Sequence, residues 1–330
     1  MSSTPVLLDR PSTSVRSIAW TLAGIAILLR LPFAARFLWD HDSVQFALGV
    51  EHFDLAAHQP HPPGYPVYIA ILKVLSALGV DALHGMVGLS ILAAGAGTAL
   101  SVLLAAHLLE TSTVLAPGHR WSRPQMDGAP PQVAAGALLA GVLYATNPLL
   151  WFYGELPLVY AVEGGLSVAV AYGAAVMGRS RRTFLVVCVV FALAAGVRPS
   201  TGVLLAPLFL LGVARAWWRG RARLGWVIQG GLVGALVVAA WLGPLLAAAG
   251  GLAAYRRISA GLFGTLLPRT SVLYGAGMPA LRHNLEVLVK WSLQALVPAL
   301  LAILLLVGVA FLRRRGGVAL GAGARALWGS

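Results

Sequence analysis

The stretch His58-Gln59-Pro60-His61-Pro62-Pro63-Gly64-Tyr65-Pro66-Val67-Tyr68 decides how the rest of the chain is read. Prolines at 60, 62 and 63 fix φ and remove backbone donors, so no helix starts before Pro66, a residue suited to a first helical turn. The apolar run that follows, about 66 to 80, is short beside the roughly 20 residues a spanning helix requires. Whether that run crosses a bilayer sets the sidedness of everything before it.

A bilayer is implied by composition. Of 330 residues, 58% are hydrophobic and 11% charged, and the mean hydropathy is +0.81. A soluble chain of this size needs far more polar surface, so soluble enzymes, disordered chains and collagen-like chains are excluded together. The formal charge of +13 is distributed as short arginine clusters at the ends of apolar runs, the placement expected for cytoplasmic loops. Membrane lipid, and no nucleic acid, is the expected anionic partner. The single cysteine, Cys188, lies inside an apolar run and forms no intrachain disulfide.

A polar N-terminus with Arg10 and Arg16 precedes the run Ile18 to Leu29, which is read as a first span because no small-x-small cleavage pattern follows. Arg30, at its end, is expected to snorkel to an interface. Further apolar runs lie at 84–108, 133–150, 158–178, 183–197, 200–216, 225–247 and 284–312. Counting back from Arg313, Arg314 and Arg315 puts Arg219/Arg221/Arg223, Arg179/Arg181/Arg182 and the loop of Arg120 and Arg123 in the cytoplasm. Counting forward from a cytoplasmic N-terminus agrees only if 66–80 does not cross. The expected fold is therefore all-α and polytopic, with about eight transmembrane helices and a juxtamembrane helix carrying Lys73 on the extracytoplasmic side. Three polar stretches then share that side: 36–65, 151–157 and 248–283.

Four of the eleven acids, Asp40, Asp42, Glu51 and Asp54, fall in the first of these stretches, with His41, His52, His58 and His61 interleaved. A carboxylate at a membrane boundary can be tuned as a proton acceptor, and a positioned base contributes about 10²–10⁴ in rate. The same Asp-x-Asp spacing with histidines also suits a divalent ion such as Mg or Mn, with Asp40 and Asp42 as ligands. The residues leave these two chemistries open.

The first span, the acidic pair in an outer loop, and "HPPGYP" heading a surface helix together resemble the GT-C type membrane glycosyltransferases, in particular family-39-like protein O-mannosyltransferases and their bacterial relatives. The resemblance covers roughly 16 to 215. It implies a catalytic aspartate in the first outer loop, matched best by Asp42 and next by Asp40, and a second acid in "NPLLWFYGELPLVYA", Asn147 to Ala161, which is Glu155. "GVRPS", Gly196 to Ser200, puts Arg198 at an outer helix junction, where the resemblance implies contact with a lipid-linked phosphate. His61, Tyr65 and His41 are expected to hold sugar or acceptor. Glu163, an acid inside an apolar run, must be either paired or functional. Arg256, Arg257 and Arg269, with Arg282 and His283, place positive charge on the side where it is disfavoured, and an anionic head group would answer it.

On this reading 1–215 is a catalytic transmembrane module with first outer loop 36–83. Residues 216–315 add C-terminal spans and the basic outer loop 248–283, and 316–330 is a Gly/Ala-rich tail. The implied reaction moves a sugar from a polyprenyl-phosphate donor to an acceptor hydroxyl on protein, lipid or glycan, with inversion, at the outer face of the cell membrane. The alternative is a lipid or solute transporter or flippase, in which Glu163 and the outer arginines line a path. A third possibility is a non-catalytic scaffold.

Overall fold

The computed structural model describes residues 11–115 and 129–327. Among them the chain is helical throughout, apart from turns and one isolated antiparallel bridge between Asp54 and Gln59. The helices are α1 Thr13–Arg30, α2 His41–Glu51, α3 Pro66–Ala77, α4 Ala82–Leu115, α5 Pro131–Thr146 and α6 Pro148–Tyr153, followed by α7 Tyr160–Val176, α8 Arg181–Val197, α9 Pro199–Trp218, α10 Leu224–Ala248, α11 Leu252–Thr270 and α12 Gly277–Leu327. Local chemistry sets their starts. Ser12, Asp40, Asn147 and Ser180 cap α1, α2, α6 and α8 through side-chain oxygens, and proline opens α3, α5, α6 and α9.

The protein is an all-α polytopic membrane protein. Five segments are long and apolar enough to cross a bilayer: Thr13–Phe33, Ala82–Ser112, Tyr160–Arg179, Pro199–Trp218 and Leu224–Ala248. The remaining expected spans are also helical, as α5, α8 and part of α12. Helix α3 is different. Its 12 residues reach only about 18 Å at 1.5 Å per residue, against a hydrocarbon core of about 30 Å. It buries Tyr68, Ile69 and Leu72 and leaves Ile71 and Val74 exposed. Its Lys73 Nζ donates to the Val50 carbonyl, 2.8 Å away.

Two stretches differ from expectation. Residues 252–270, read as part of a basic loop, form α11, none of whose side chains is buried. The run from Gly316, read as a tail, continues α12 to Leu327. Arg10, Arg120 and Arg123 lie outside the described residues.

Helix α4 is the hub, packed against α1, α5 and α7. Small residues allow the close crossings: a Cβ added at Gly165 of α7 would lie 2.9 Å from the Ala93 carbonyl oxygen of α4. The helices also sort the side chains by end. Arg179 donates to Tyr172 (3.4 Å) and contacts His107 Nδ1 (3.2 Å), Arg181 Nε donates to Gln229 (2.8 Å), and the Arg221 side chain packs on Gly178. Both arginine clusters therefore share one end of α7–α10. The opposite end of α7 carries Tyr160 and Glu163, and there the stiffened segment, α2, α3 and the α8–α9 junction gather.

The tight α4–α7 crossing makes Gly165→Ala destabilising by about 1–3 kcal/mol, because backbone, not a flexible side chain, stands in the way. Gly231→Ala, in α10 with open space around it, should leave the unfolding midpoint unchanged or raised. Thermal unfolding of the two variants in detergent is the check.

Candidate active site

The first layer of the site is built by α2. Asp40 caps it, accepting from Ser43 N at 3.0 Å, while Ser43 Oγ accepts from Asp40 N at 3.1 Å. This capping box fixes the start of the helix and places Asp42 in its first turn, half-buried. His41 points outward and contacts Gln45 at 2.8 Å.

The second layer is the proline segment. Tyr65, with φ 48°, is the N-cap residue of α3, and Gly64 before it has φ 97°. Only glycine adopts the latter readily, and the chain there packs on Leu245 of α10 and Leu55. This left-handed corner turns the Tyr65 ring inward, where it is 3% exposed and meets Phe46 edge-on at 4.8 Å. Its hydroxyl lies 2.8 Å from His61 Nε2. On the other side of the imidazole, Nδ1 lies 3.7 Å from Asp42 Oδ1, too long for a hydrogen bond, and it is buried without a partner.

Burial pushes His61 below its ordinary 6.5; Asp42 opposes this, and Arg198, His58 and His41 reinforce it. Burial likewise pushes Tyr65 up, so its phenol keeps its proton. A neutral imidazole facing a phenol accepts on Nε2 and therefore carries its hydrogen on Nδ1, toward Asp42.

The third layer comes from the helix ends. Arg198, between α8 and α9, donates from Nη1 to Glu163 Oε2 at 3.2 Å, and Thr201 Oγ1 donates to Glu163 Oε1 at 2.7 Å. The guanidinium carbon sits 5.9 Å from the ring centres of both Tyr65 and Tyr160. Burial disfavours the Arg198 charge, but Tyr65 and Glu163 more than offset this and strengthen it. With a third of its side chain exposed, the cation can still present other donors to an anion. Glu163 is thus paired, and the intramembrane charge on which the transporter alternative rests has a partner within the protein.

Asp42, His61, Tyr65, Arg198 and Glu163 are therefore joined in one network, with Thr201 and Tyr160 as members that sequence reading missed. Thr201 carried a faint signal, three residues after Arg198 on the next helix turn. Asp40 stands beside the network as a cap. Glu155 is not tied to these residues. Its backbone carbonyl accepts from Ala35 N at 2.9 Å, and the charge acting on its carboxylate is that of Arg30. Burial raises Glu155 above its ordinary 4.5, and Arg30 opposes the rise. Arg30 does not snorkel: it is 0% exposed. Arg256, Arg257 and Arg269 are exposed on α11, whose link to the site is Tyr255, donating to the Pro63 carbonyl at 3.4 Å. Among the described residues no three His, Cys, Asp or Glu side chains gather as a metal site.

A polytopic helical membrane protein with a carboxylate–imidazole–phenol array at one end of its bundle is the class defined by these features. Residues 54–220 match the family model described as the Protein O-mannosyl-transferase TMEM260 N-terminal domain. The match covers just over half of the chain, which belongs to this glycosyltransferase family. His61, Tyr65, Glu155, Glu163, Arg198 and Thr201 fall inside the matched residues; Asp40, His41 and Asp42 precede them, and the α11 arginines follow. No curated protein and no solved structure matches the chain.

Removing Arg198 leaves Glu163, whose side chain is 14% exposed, without its countercharge. Arg198→Met should cost about 1–3 kcal/mol of stability, and the double variant Arg198→Met/Glu163→Gln should recover part of that loss. Thermal unfolding of the single and double variants measures the coupling.

Proposed function

We propose that the chain is a GT-C type transferase that moves a mannose-like sugar from a polyprenyl-phosphate donor to an acceptor hydroxyl at the extracytoplasmic face of the cell membrane. The family's name supports the sugar-transfer chemistry and a protein hydroxyl as acceptor. The single observation that carries the site is the Asp42–His61–Tyr65 array set against the Arg198–Glu163 pair. Sidedness is supported by the arginine clusters at the opposite bundle end.

In this mechanism Asp42 removes the proton from the acceptor hydroxyl. The freed oxygen attacks the anomeric carbon from the face opposite the phosphate, the bond between that carbon and the phosphate oxygen breaks, and configuration inverts. The lipid phosphate leaves carrying the electron pair, and Asp42 holds the proton. Because the leaving group is already an anion, it needs no second carboxylic acid of the kind paired in glycoside hydrolases. Arg198 attracts the departing phosphate through guanidinium donors not used by Glu163, stabilising charge where it develops. His61, neutral and held by Tyr65, directs Nδ1–H toward Asp42 across a 3.7 Å gap. His41 and the exposed arginines 256, 257 and 269 stand where an incoming acceptor or lipid head group would pass. Asp40 serves Asp42 through the helix cap, and no step is routed through a metal ion.

Asp42→Asn should lower transfer from a polyprenyl-phosphate mannose by about 10²–10⁴ without changing the unfolding midpoint appreciably. Transfer at the wild-type rate by Asp42→Asn would remove the assigned base. The His61 ring gives a separate pH signature. Protonation puts a hydrogen on Nε2, which then no longer accepts from Tyr65, so activity should fall on the acid side, below the ordinary 6.5 of histidine. That limb should be absent from whatever activity His61→Gln retains, as read from pH–rate profiles.

A further inference from the structure

Arg30 ends α1 in full burial, a position where a guanidinium is costly unless its donors are satisfied. Two of them are. Nη1 donates to the Ala26 carbonyl of its own helix at 2.8 Å, and Nη2 to the Ala145 carbonyl at the end of α5 at 2.9 Å. The guanidinium carbon lies 4.8 Å from the centre of the Trp151 ring, on α6. The turn after α6 closes directly on the cation: a Cβ at Gly154 would fall 2.6 Å from Arg30 Nε, so only glycine permits the approach. The next residue is Glu155, whose carbonyl holds Ala35 N on the segment leading from α1 to Asp40 and Asp42. Arg30 Nε and Glu155 Oε1 are both buried without a hydrogen-bond partner. One cation thus meets α1, the end of α5, α6 and the Glu155 turn.

We infer that Arg30 is a positioning residue: its locked guanidinium fixes the turn at Gly154 and Glu155 against α1 and holds positive charge near the buried Glu155 Oε1 at the site end of the bundle. Its bearing on sugar transfer rests on the function proposed above, but its effect on Glu155 does not. Burial favours the protonated form of Glu155, and the charge of Arg30 on α1 acts against that. Tyr144 on α5 faces Arg30. Without the cation Glu155 should hold its proton to higher pH, because an opposite charge nearby lowers a carboxyl by about 1–3 pH units.

The test is an infrared pH titration of the purified full chain in nanodiscs, following the protonated-carboxyl band that Glu155→Gln removes. In Arg30→Met the midpoint of that band should move up by about 1–3 pH units. In Arg30→Lys, which keeps the charge, it should stay near the wild type. Gly154→Ala, which pushes the turn away from Nε while leaving Arg30 in place, should move it in the same direction by less, and decides the matter if Arg30→Met does not fold. An unchanged midpoint in Arg30→Met, or in Gly154→Ala where that variant has to decide, overturns the inference. Mannosyl transfer measured on the same preparations separates the two ideas. A band that shifts in a chain whose wild type transfers nothing leaves Arg30 as a positioning residue and removes the proposed function instead.

Discussion

A carboxylate inside an apolar helix needs a partner, and the Glu163–Arg198 ion pair meets that constraint at the point where the rest of the site converges. An unpaired acid costs about 2.5–3.5 kcal/mol at the centre of a span on insertion scales and less toward its end, where Glu163 lies in the first turn of α7. Here the cost is offset by the 3.2 Å contact to Arg198 and the 2.7 Å hydrogen bond from Thr201. The pair ties the start of α7 to the α8–α9 junction and holds a cation beside the faces of Tyr65 and Tyr160. Tyr65 in turn fixes His61, and His61 faces Asp42. A group needed to make Glu163 tolerable in the membrane is thereby the same group that keeps positive charge beside the putting-together of carboxylate, imidazole and phenol.

The second constraint is sorting by bundle end. Helices α7 to α10 carry the clusters Arg179–Arg182 and Arg219–Arg223 at one end, and at the other Tyr160, Glu163 and Arg198 meet Asp42, His61 and Tyr65 of the preceding segments. In the proposed reaction a phosphate anion and a hydroxyl to be deprotonated would both be served at the latter end, where Arg198 and Asp42 stand in one network. The proline segment closes that end from above α2, and its rigidity comes from ring-fixed φ angles and a left-handed corner at Gly64 and Tyr65. Packing of Gly64 on Leu245 and the Tyr255 contact to Pro63 bring α10 and α11 to the same closure.

Much of the fold was legible because membrane helices announce themselves by apolar length. The runs expected to span all became helices, and the run 66–80 singled out by the parity of arginine clusters is the 12-residue helix α3, shorter than each of the five segments long enough to cross. Helix α11 was missed because its arginines and scattered small residues give it little apolar periodicity, so charge alone was read as loop. Within the site, the acids and histidines were legible by their rarity and clustering. The partnerships were not. Nothing in "GVRPS" says that Arg198 turns toward Glu163, 35 residues away in sequence, rather than toward an outside phosphate alone. Arg30 was misread for a similar reason: an arginine after an apolar run is usually at an interface, and only three-dimensional packing reveals the carbonyls of Ala26 and Ala145 waiting for it.

Which bundle end receives the lipid-linked donor is the claim on which the account stands. Photolabelling of the full chain in vesicles with a diazirine-bearing polyprenyl phosphate, followed by peptide mapping, reads it directly. The account predicts adducts on peptides containing Tyr65 and Arg198, lost on competition with unlabelled donor. Competable adducts at Arg179–Arg182 and Arg219–Arg223 instead, with none near Tyr65 or Arg198, would contradict it.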